Sequence, residues 1–131
     1  MLIVMQLRQV DLNLTQKRKL GGNLVNKELH SMGNLIPENI KKQIPPLYAT
    51  EDQKDPVVYI KLFLDGWTWY ITELSIDGDI AFGYVVSPYC SGELGYFSLN
   101  EIQFIKGSLG IGVERDLSFK PTKLSQIKKA S

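Results

Sequence analysis

The sequence predicts an α+β domain: a small antiparallel β-meander of three to five strands, with short helices packed on one face. Three observations carry this reading. A length of 131 residues, 44% hydrophobic and 22% charged, suits one ordinary globular domain with a sizeable core. Two Asp-Gly pairs, Asp65-Gly66 and Asp77-Gly78, separate runs rich in β-branched and aromatic residues, the strongest short-range hairpin signal. Helix-start signals flank the meander at Ile36-Pro37-Glu38 and Ser98-Leu99-Asn100-Glu101.

Residues 1–34 read as an N-terminal extension, partly ordered at best. Val10, Leu12 and Leu14 alternate weakly, Lys17, Arg18 and Lys19 follow, and Gly21-Gly22 breaks the pattern. Residues 35–121 read as the domain. Pro37 and Glu38 open a short helix whose inner face carries Ile40 and Ile44, and Pro45-Pro46 ends it. A polar loop leads to strands at Val57–Leu64, Trp67–Ile76 and Asp79–Ser87. After a loop at Ser87–Gly92 a short strand spans Leu94–Phe97. Ser98 and Glu101 form a capping box for a helix to about Ile105. Val113–Phe119 alternates as a last strand, stopped by Pro121, and residues 122–131 read as a basic helix or tail.

Two-residue turns fix the pairing. They place Leu62 opposite Trp69, Ile60 opposite Ile71, and Val58 opposite Glu73. On the next strand Trp69 faces Val86, Ile71 faces Tyr84, and Glu73 faces Phe82. One face then carries Val58, Ile60, Leu62, Leu64, Trp67, Trp69, Ile71, Phe82, Tyr84 and Val86, a core face covered by the helices at 36–44 and 98–105. The other carries Tyr59, Lys61, Phe63, Thr68, Tyr70, Thr72, Gly83 and Ser87, mixed and partly wet. Glu73 is the anomaly, a carboxylate on the apolar face, which must be paired or neutral. Arg115, in phase with Val113, Leu117 and Phe119, is the expected partner.

The charge is uneven. Fifteen Lys+Arg against 14 Asp+Glu leave a net +1, which excludes a strongly basic nucleic-acid wrap and an acidic DNA mimic. Residues 43–105 hold two basic and nine acidic side chains, a net −7, between basic ends of +3 (residues 1–34) and +4 (residues 106–131). The bland reading of this pattern is solubility with solvated tails; the sharper one docks one basic end on the acidic middle, in cis or on a neighbouring chain. The single Cys90 excludes an internal disulfide and suits a reducing compartment; with no span-length apolar window, the expected location is cytoplasmic, with no membrane partner. The lone His30 rules out a His-rich metal site and leaves Cys90 without a credible catalytic base.

Carboxylates, Arg115 and aromatic residues are thus the carriers of any activity. A metal-dependent hydrolase or nuclease would draw on Glu73, Glu93 and Asp116, but no Asp-x-Asp or metal-type His spacing supports them. Tyr59, Lys61 and Tyr70 suggest a stacking platform for single-stranded nucleic acid on the open sheet face, against which the −7 middle weighs. The bland alternative covers that face with the N-terminal arm or a second subunit, making a homo-oligomer. Binding of a protein partner, with no cofactor, is the favoured class over catalysis.

Several stretches resemble a known family. They are Leu35-Ile36-Pro37; Leu47-Tyr48-Ala49-Thr50-Glu51; Trp67-Thr68-Trp69-Tyr70-Ile71-Thr72-Glu73; Phe82-Gly83-Tyr84-Val85; Glu93-Leu94-Gly95-Tyr96-Phe97-Ser98-Leu99-Asn100-Glu101; and Glu114-Arg115-Asp116 with Phe119 and Pro121. In this order they resemble the DUF2958 family over about residues 35–121. The family comprises short bacterial proteins of unknown function, often carried by plasmids, phages and integrative elements. The resemblance implies such a setting, and an accessory or counter-defence role, but no activity, substrate or cofactor. Its motif positions include Glu73, Glu93, Glu101, Arg115 and Asp116 and the stretch containing Trp69 and Tyr70.

Overall fold

The computed structural model describes residues 35–130; the expected extension at 1–34 lies outside them. The element order is α1 (Glu38–Lys41), β1 (Val57–Val58), β2 (Ile60–Leu64), β3 (Trp67–Leu74), β4 (Ile80–Ser87), β5 (Cys90–Ser98), α2 (Leu99–Ile102), β6 (Glu114–Arg115), β7 (Thr122–Lys123) and α3 (Leu124–Ala130). Strands β2 to β6 form one antiparallel sheet in the order β5-β4-β3-β2-β6, and β1 pairs with β7 in a second, two-stranded sheet. The expected α+β class and antiparallel meander are therefore present, in the five-stranded form.

The first turn forms as its sequence demands. Asp65 and Gly66 both take positive φ, 43° and 84°, as a type I′ hairpin turn requires. The β2–β3 register follows: Ile60 opposite Ile71, Leu62 opposite Trp69. The second connection differs from a two-residue turn. Only Gly78 has positive φ, and β3 ends at Leu74. Ser75 donates from its N–H to the Ile80 carbonyl (2.7 Å), enclosing a four-residue loop. The Asp77 carboxylate accepts from the Asp79 N–H (3.0 Å) and the Ser75 hydroxyl, competing with strand continuation.

Two irregularities then redistribute the faces. Glu73 lies opposite Phe82, as expected, but Ile71 lies opposite Gly83 and Trp69 opposite Val85. Thr72 is the extra residue of a β-bulge. It is fully buried, and its hydroxyl donates to the Phe82 carbonyl (3.0 Å). Ahead of β2 the alternation also breaks, because Tyr59 and Ile60 both pack toward the first core while Val58 joins the second. The expected core face is corrected accordingly. Val58, Phe82, Tyr84 and Val86 belong to the second face, and Ala81 and Val85 take their places on the first.

The first core buries Ile36, Ile44, Ile60, Leu62, Leu64, Trp69, Ile71, Leu74, Ala81, Val85, Phe97, Leu99, Ile102 and Val113. Side chains as fully enclosed as Leu62 and Ile71 contribute on the order of 1.5–3 kcal/mol each. Both expected helices reach this core but are single turns. Ser98 caps α2, its hydroxyl accepting from the Glu101 N–H (3.2 Å). Buried Asp79 reinforces that cap, accepting from the Ser98 hydroxyl (2.7 Å) and the Asn100 N–H (3.1 Å).

The second core joins Val58, Tyr84, Leu124 and Ile127, flanked by Tyr70, Val86 and Phe119. Its cover is α3, so residues 122–130 are part of the packed domain. The basic C-terminal end thus docks in cis on the acidic meander. Asp55 receives the Ser125 N–H (2.8 Å) and hydroxyl (2.7 Å), and the Lys128 ammonium lies 5.2 Å from the Tyr84 ring centre. The Ser125 hydrogen bonds, helped by Lys123 and Lys128, hold the Asp55 carboxyl below its usual range. Two expectations about flanking strands are corrected. The fourth strand is longer, from Cys90, and places Cys90 on the sheet opposite Ser87. The last strand is shorter: after Arg115, the Asp116 carboxylate accepts from the Ser118 N–H (3.0 Å) and hydroxyl (2.7 Å), turning the chain. Leu117 points out, 79% exposed. No helix among the described residues is long and apolar enough to cross a membrane.

Candidate functional site

The polar group with the most unusual surroundings is Glu73. The bulge at Thr72 turns it onto the second face, beside Phe82, where it is only 2% exposed. The chain reaches this point from the other side of the sheet. After α1, the Pro45 carbonyl accepts from the Leu74 N–H (2.9 Å) at the end of β3, and the following residues cross to the second face. There Glu73 Oε1 accepts from the Tyr48 N–H (2.8 Å). Oε2 accepts from the Thr50 N–H (2.9 Å) and from the Thr50 hydroxyl. Both carboxyl oxygens are therefore satisfied by one loop, which explains how an acid tolerates this burial.

The loop so held is strained. Tyr48 adopts φ 72°, the left-handed region that side-chain-bearing residues avoid. The Tyr48 N–H bond to Glu73 locks that conformation and leaves the ring 53% exposed. Beneath it stand two more rings. The Tyr48 and Tyr96 centres are 6.2 Å apart at 55°, and those of Phe82 and Tyr96 4.8 Å apart at 56°. Phe82 and Tyr96 are direct cross-strand partners on β4 and β5. Burial, then a hydrogen bond with Tyr48, then the charges of Glu73 and Glu51 push the Tyr96 phenol up to about 12. Three sequence stretches far apart in the chain, around Tyr48, Glu73 and Tyr96, thus meet at one place.

Arg115 does not join them. It lies opposite Leu62 on β6, and Leu62 lies opposite Trp69 on β3. Glu73 is four residues farther along β3, roughly 13 Å at the usual rise and two strand spacings away. Glu73 and Arg115 form no ion pair, so the expected partnership is replaced by the backbone donors of the loop. Nor do the three candidate metal carboxylates converge. Glu93 sits on edge strand β5 opposite Val85, and Asp116 follows β6 at the opposite edge. Among the described residues no group of three or more His, Cys, Asp or Glu side chains is placed to hold a metal ion.

The aromatic platform is also divided. Tyr59 leans onto the first core. Tyr70 stays on the second face, its ring 6.3 Å from those of both Tyr84 and Phe119. Lys61 pairs with Asp116 (3.7 Å) and lies 6.0 Å from the Tyr70 ring centre. The Ser118 hydrogen bonds, then Lys61, hold the Asp116 carboxyl below its usual range, while burial and the Asp116 charge push the Tyr70 phenol up. Trp69 is enclosed in the first core, stacked on Trp67 at 5.8 Å, and its indole N–H has no acceptor among the described residues. The second face is therefore covered in cis by α3 over this half. Tyr48, Thr50 and Tyr96 do not stand out as site residues by pattern. Their only signal in the sequence is that they share motif stretches with Glu51 and Glu93.

A family model described as a protein of unknown function, DUF2958, matches residues 33–130, and the chain belongs to that family. The match runs through α3, beyond the 35–121 span of the resemblance, in keeping with the packing of that helix. No curated protein and no solved structure matches the chain.

Proposed function

We propose that this DUF2958 domain is a non-catalytic binding module that engages a protein partner through the loop around Tyr48. The carrying observation is the strained, clamped presentation of an exposed aromatic residue. A tyrosine at φ 72°, pinned by a buried carboxylate, is ordered before any partner arrives. Preorganised aromatic side chains are effective anchors because little conformational freedom is lost on binding. Backbone strain of this kind collects at ligand clamps. The polar motif residues support the same reading: Glu73 and Ser98 are committed to holding backbone in place. The plasmid, phage or integrative-element setting implied by the resemblance would make the partner a bacterial host protein, consistent with an accessory or counter-defence role.

The test uses the full chain as bait in a bacterial lysate, beside a Tyr48→Ala variant checked for intact fold by its amide NMR spectrum. The reading expects one defined protein retained by the parent chain and lost from the variant. Recovery of no specific partner, or equal recovery on both baits, contradicts it.

A further inference from the structure

We propose that Tyr48, Phe82 and Tyr96, with the Glu51 carboxylate, form a receptor for a cationic side chain, lysine or arginine, of the protein partner. This rests on the protein-binding reading above and specifies its chemistry. The two tilted ring pairs, Tyr48–Tyr96 and Phe82–Tyr96, make an aromatic corner with its outer wall at the exposed Tyr48 ring. Ring faces attract ammonium and guanidinium groups at centroid distances within about 6 Å. Two carboxylates, Glu51 and Glu73, act on the corner. Glu51 follows Tyr48 by three residues, and its charge, like that of Glu73, is felt at the Tyr96 phenol. Glu73 already receives three hydrogen bonds from the loop, whereas Glu51 forms no ion pair among the described residues.

The other half of the same sheet face supplies the precedent. There Tyr84 carries the Lys128 ammonium at 5.2 Å and Tyr70 carries that of Lys61 at 6.0 Å. The fold thus closes one half of an acidic, aromatic face with its own basic helix. The half around Tyr48 has equivalent rings, an acidic neighbour and no lysine or arginine over them among the described residues. The C-terminal lysines offset part of the −7 of residues 43–105, but they lie over the Tyr84 half, and Glu51 and Asp52 beside Tyr48 favour a basic partner there, both in approach and in contact.

The experiment titrates the full chain with acetyl-Gly-Arg-Gly-amide and with the same peptide carrying neutral citrulline, following ligand side-chain protons and Tyr ring signals by NMR. The expected result is upfield movement of the arginine methylenes and contacts to the Tyr48 and Tyr96 rings, with weaker binding of the citrulline peptide. Tyr48→Ala and Glu51→Gln should each weaken binding by about two- to five-fold, and Tyr89→Ala, at an exposed turn, should leave it unchanged. Equal binding of the two peptides, or binding that survives both Tyr48→Ala and Glu51→Gln, overturns the proposal. So does arginine-peptide binding seen only when Lys17, Arg18 and Lys19 are all changed to Gln, because the chain's own arm would then be the occupant. If lysate capture depends on Tyr48 but the peptides show no charge preference, the protein-binding reading stands and this one falls. Charge-selective peptide binding without any captured partner supports the cation receptor and overturns the protein-binding reading.

Discussion

The face covered by α1 and α2 and the face covered by the Tyr48 loop and α3 share the same strands but are closed differently. On the first, apolar side chains alternate along β2 and β3 and meet nearby helices in one continuous core. On the second, the rows are offset by irregularities at Tyr59 and Thr72, and the covers arrive from distant parts of the chain. Hydrophobic burial dominates the first. The second mixes a buried carboxylate, ring–ring contacts and lysines over tyrosines. A face assembled from specific polar contacts can present a shaped, charged surface, whereas the first face is closed by apolar packing.

The largest loss is expected beside the bulge, where β3 and β4 approach closely. A Cβ on Gly83 would lie 1.8 Å from the Tyr70 carbonyl oxygen, which is backbone and cannot swing away. Gly83→Ala should therefore cost more than about 4 kcal/mol, read as loss of the cooperative urea transition. A near-neutral effect would show that β3 and β4 do not approach as described. Next come truncations in the two cores. Leu62 is fully enclosed in the first, and Ile127, 7% exposed, belongs to the smaller second core. Leu62→Ala should destabilise by about 3–4 kcal/mol and Ile127→Ala by about 2 kcal/mol. Equal losses in chemical denaturation would mean that α3 is as integral as the first core.

A smaller effect distinguishes the faces by pH. The Tyr96 phenol is pushed up to about 12 from an ordinary value of 10.0, so between these values the folded chain keeps a proton that the unfolded chain has lost. Its contribution is fully present below the ordinary value and declines as pH rises toward the folded one. Tyr96→Phe should flatten the fall in stability over that alkaline window; an unchanged slope would contradict the assignment.

How much of this was legible in the sequence follows the same division. Asp65-Gly66 dictated its turn, and the β2–β3 register followed residue by residue. Ser98 and Glu101 announced α2. Glu73 stands out as a carboxylate needing a partner, but the regular register points to Arg115, whereas the structure supplies backbone donors. A bulge inserts one residue without any necessary break in the apolar pattern, so the shift at Thr72 moved Glu73 to the other face unseen. The donors it meets there are backbone N–H groups, which no sequence pattern displays. Charge alone leaves solvated tails and docking of a basic end both open; the burial of Leu124 and Ile127 decides for docking of the C-terminal end.

Glu73 holds the loop that presents Tyr48, and amide hydrogen exchange measures this directly. In the parent chain the Tyr48 and Thr50 amides, bonded to Glu73 at 2.8 and 2.9 Å, should be protected well beyond neighbouring loop amides. Glu73→Gln retains one acceptor oxygen, so it should accelerate exchange at one or both of these amides while the β2–β3 amides stay protected. Unchanged protection at both in that variant, or fast exchange at both already in the parent chain, would contradict the claim.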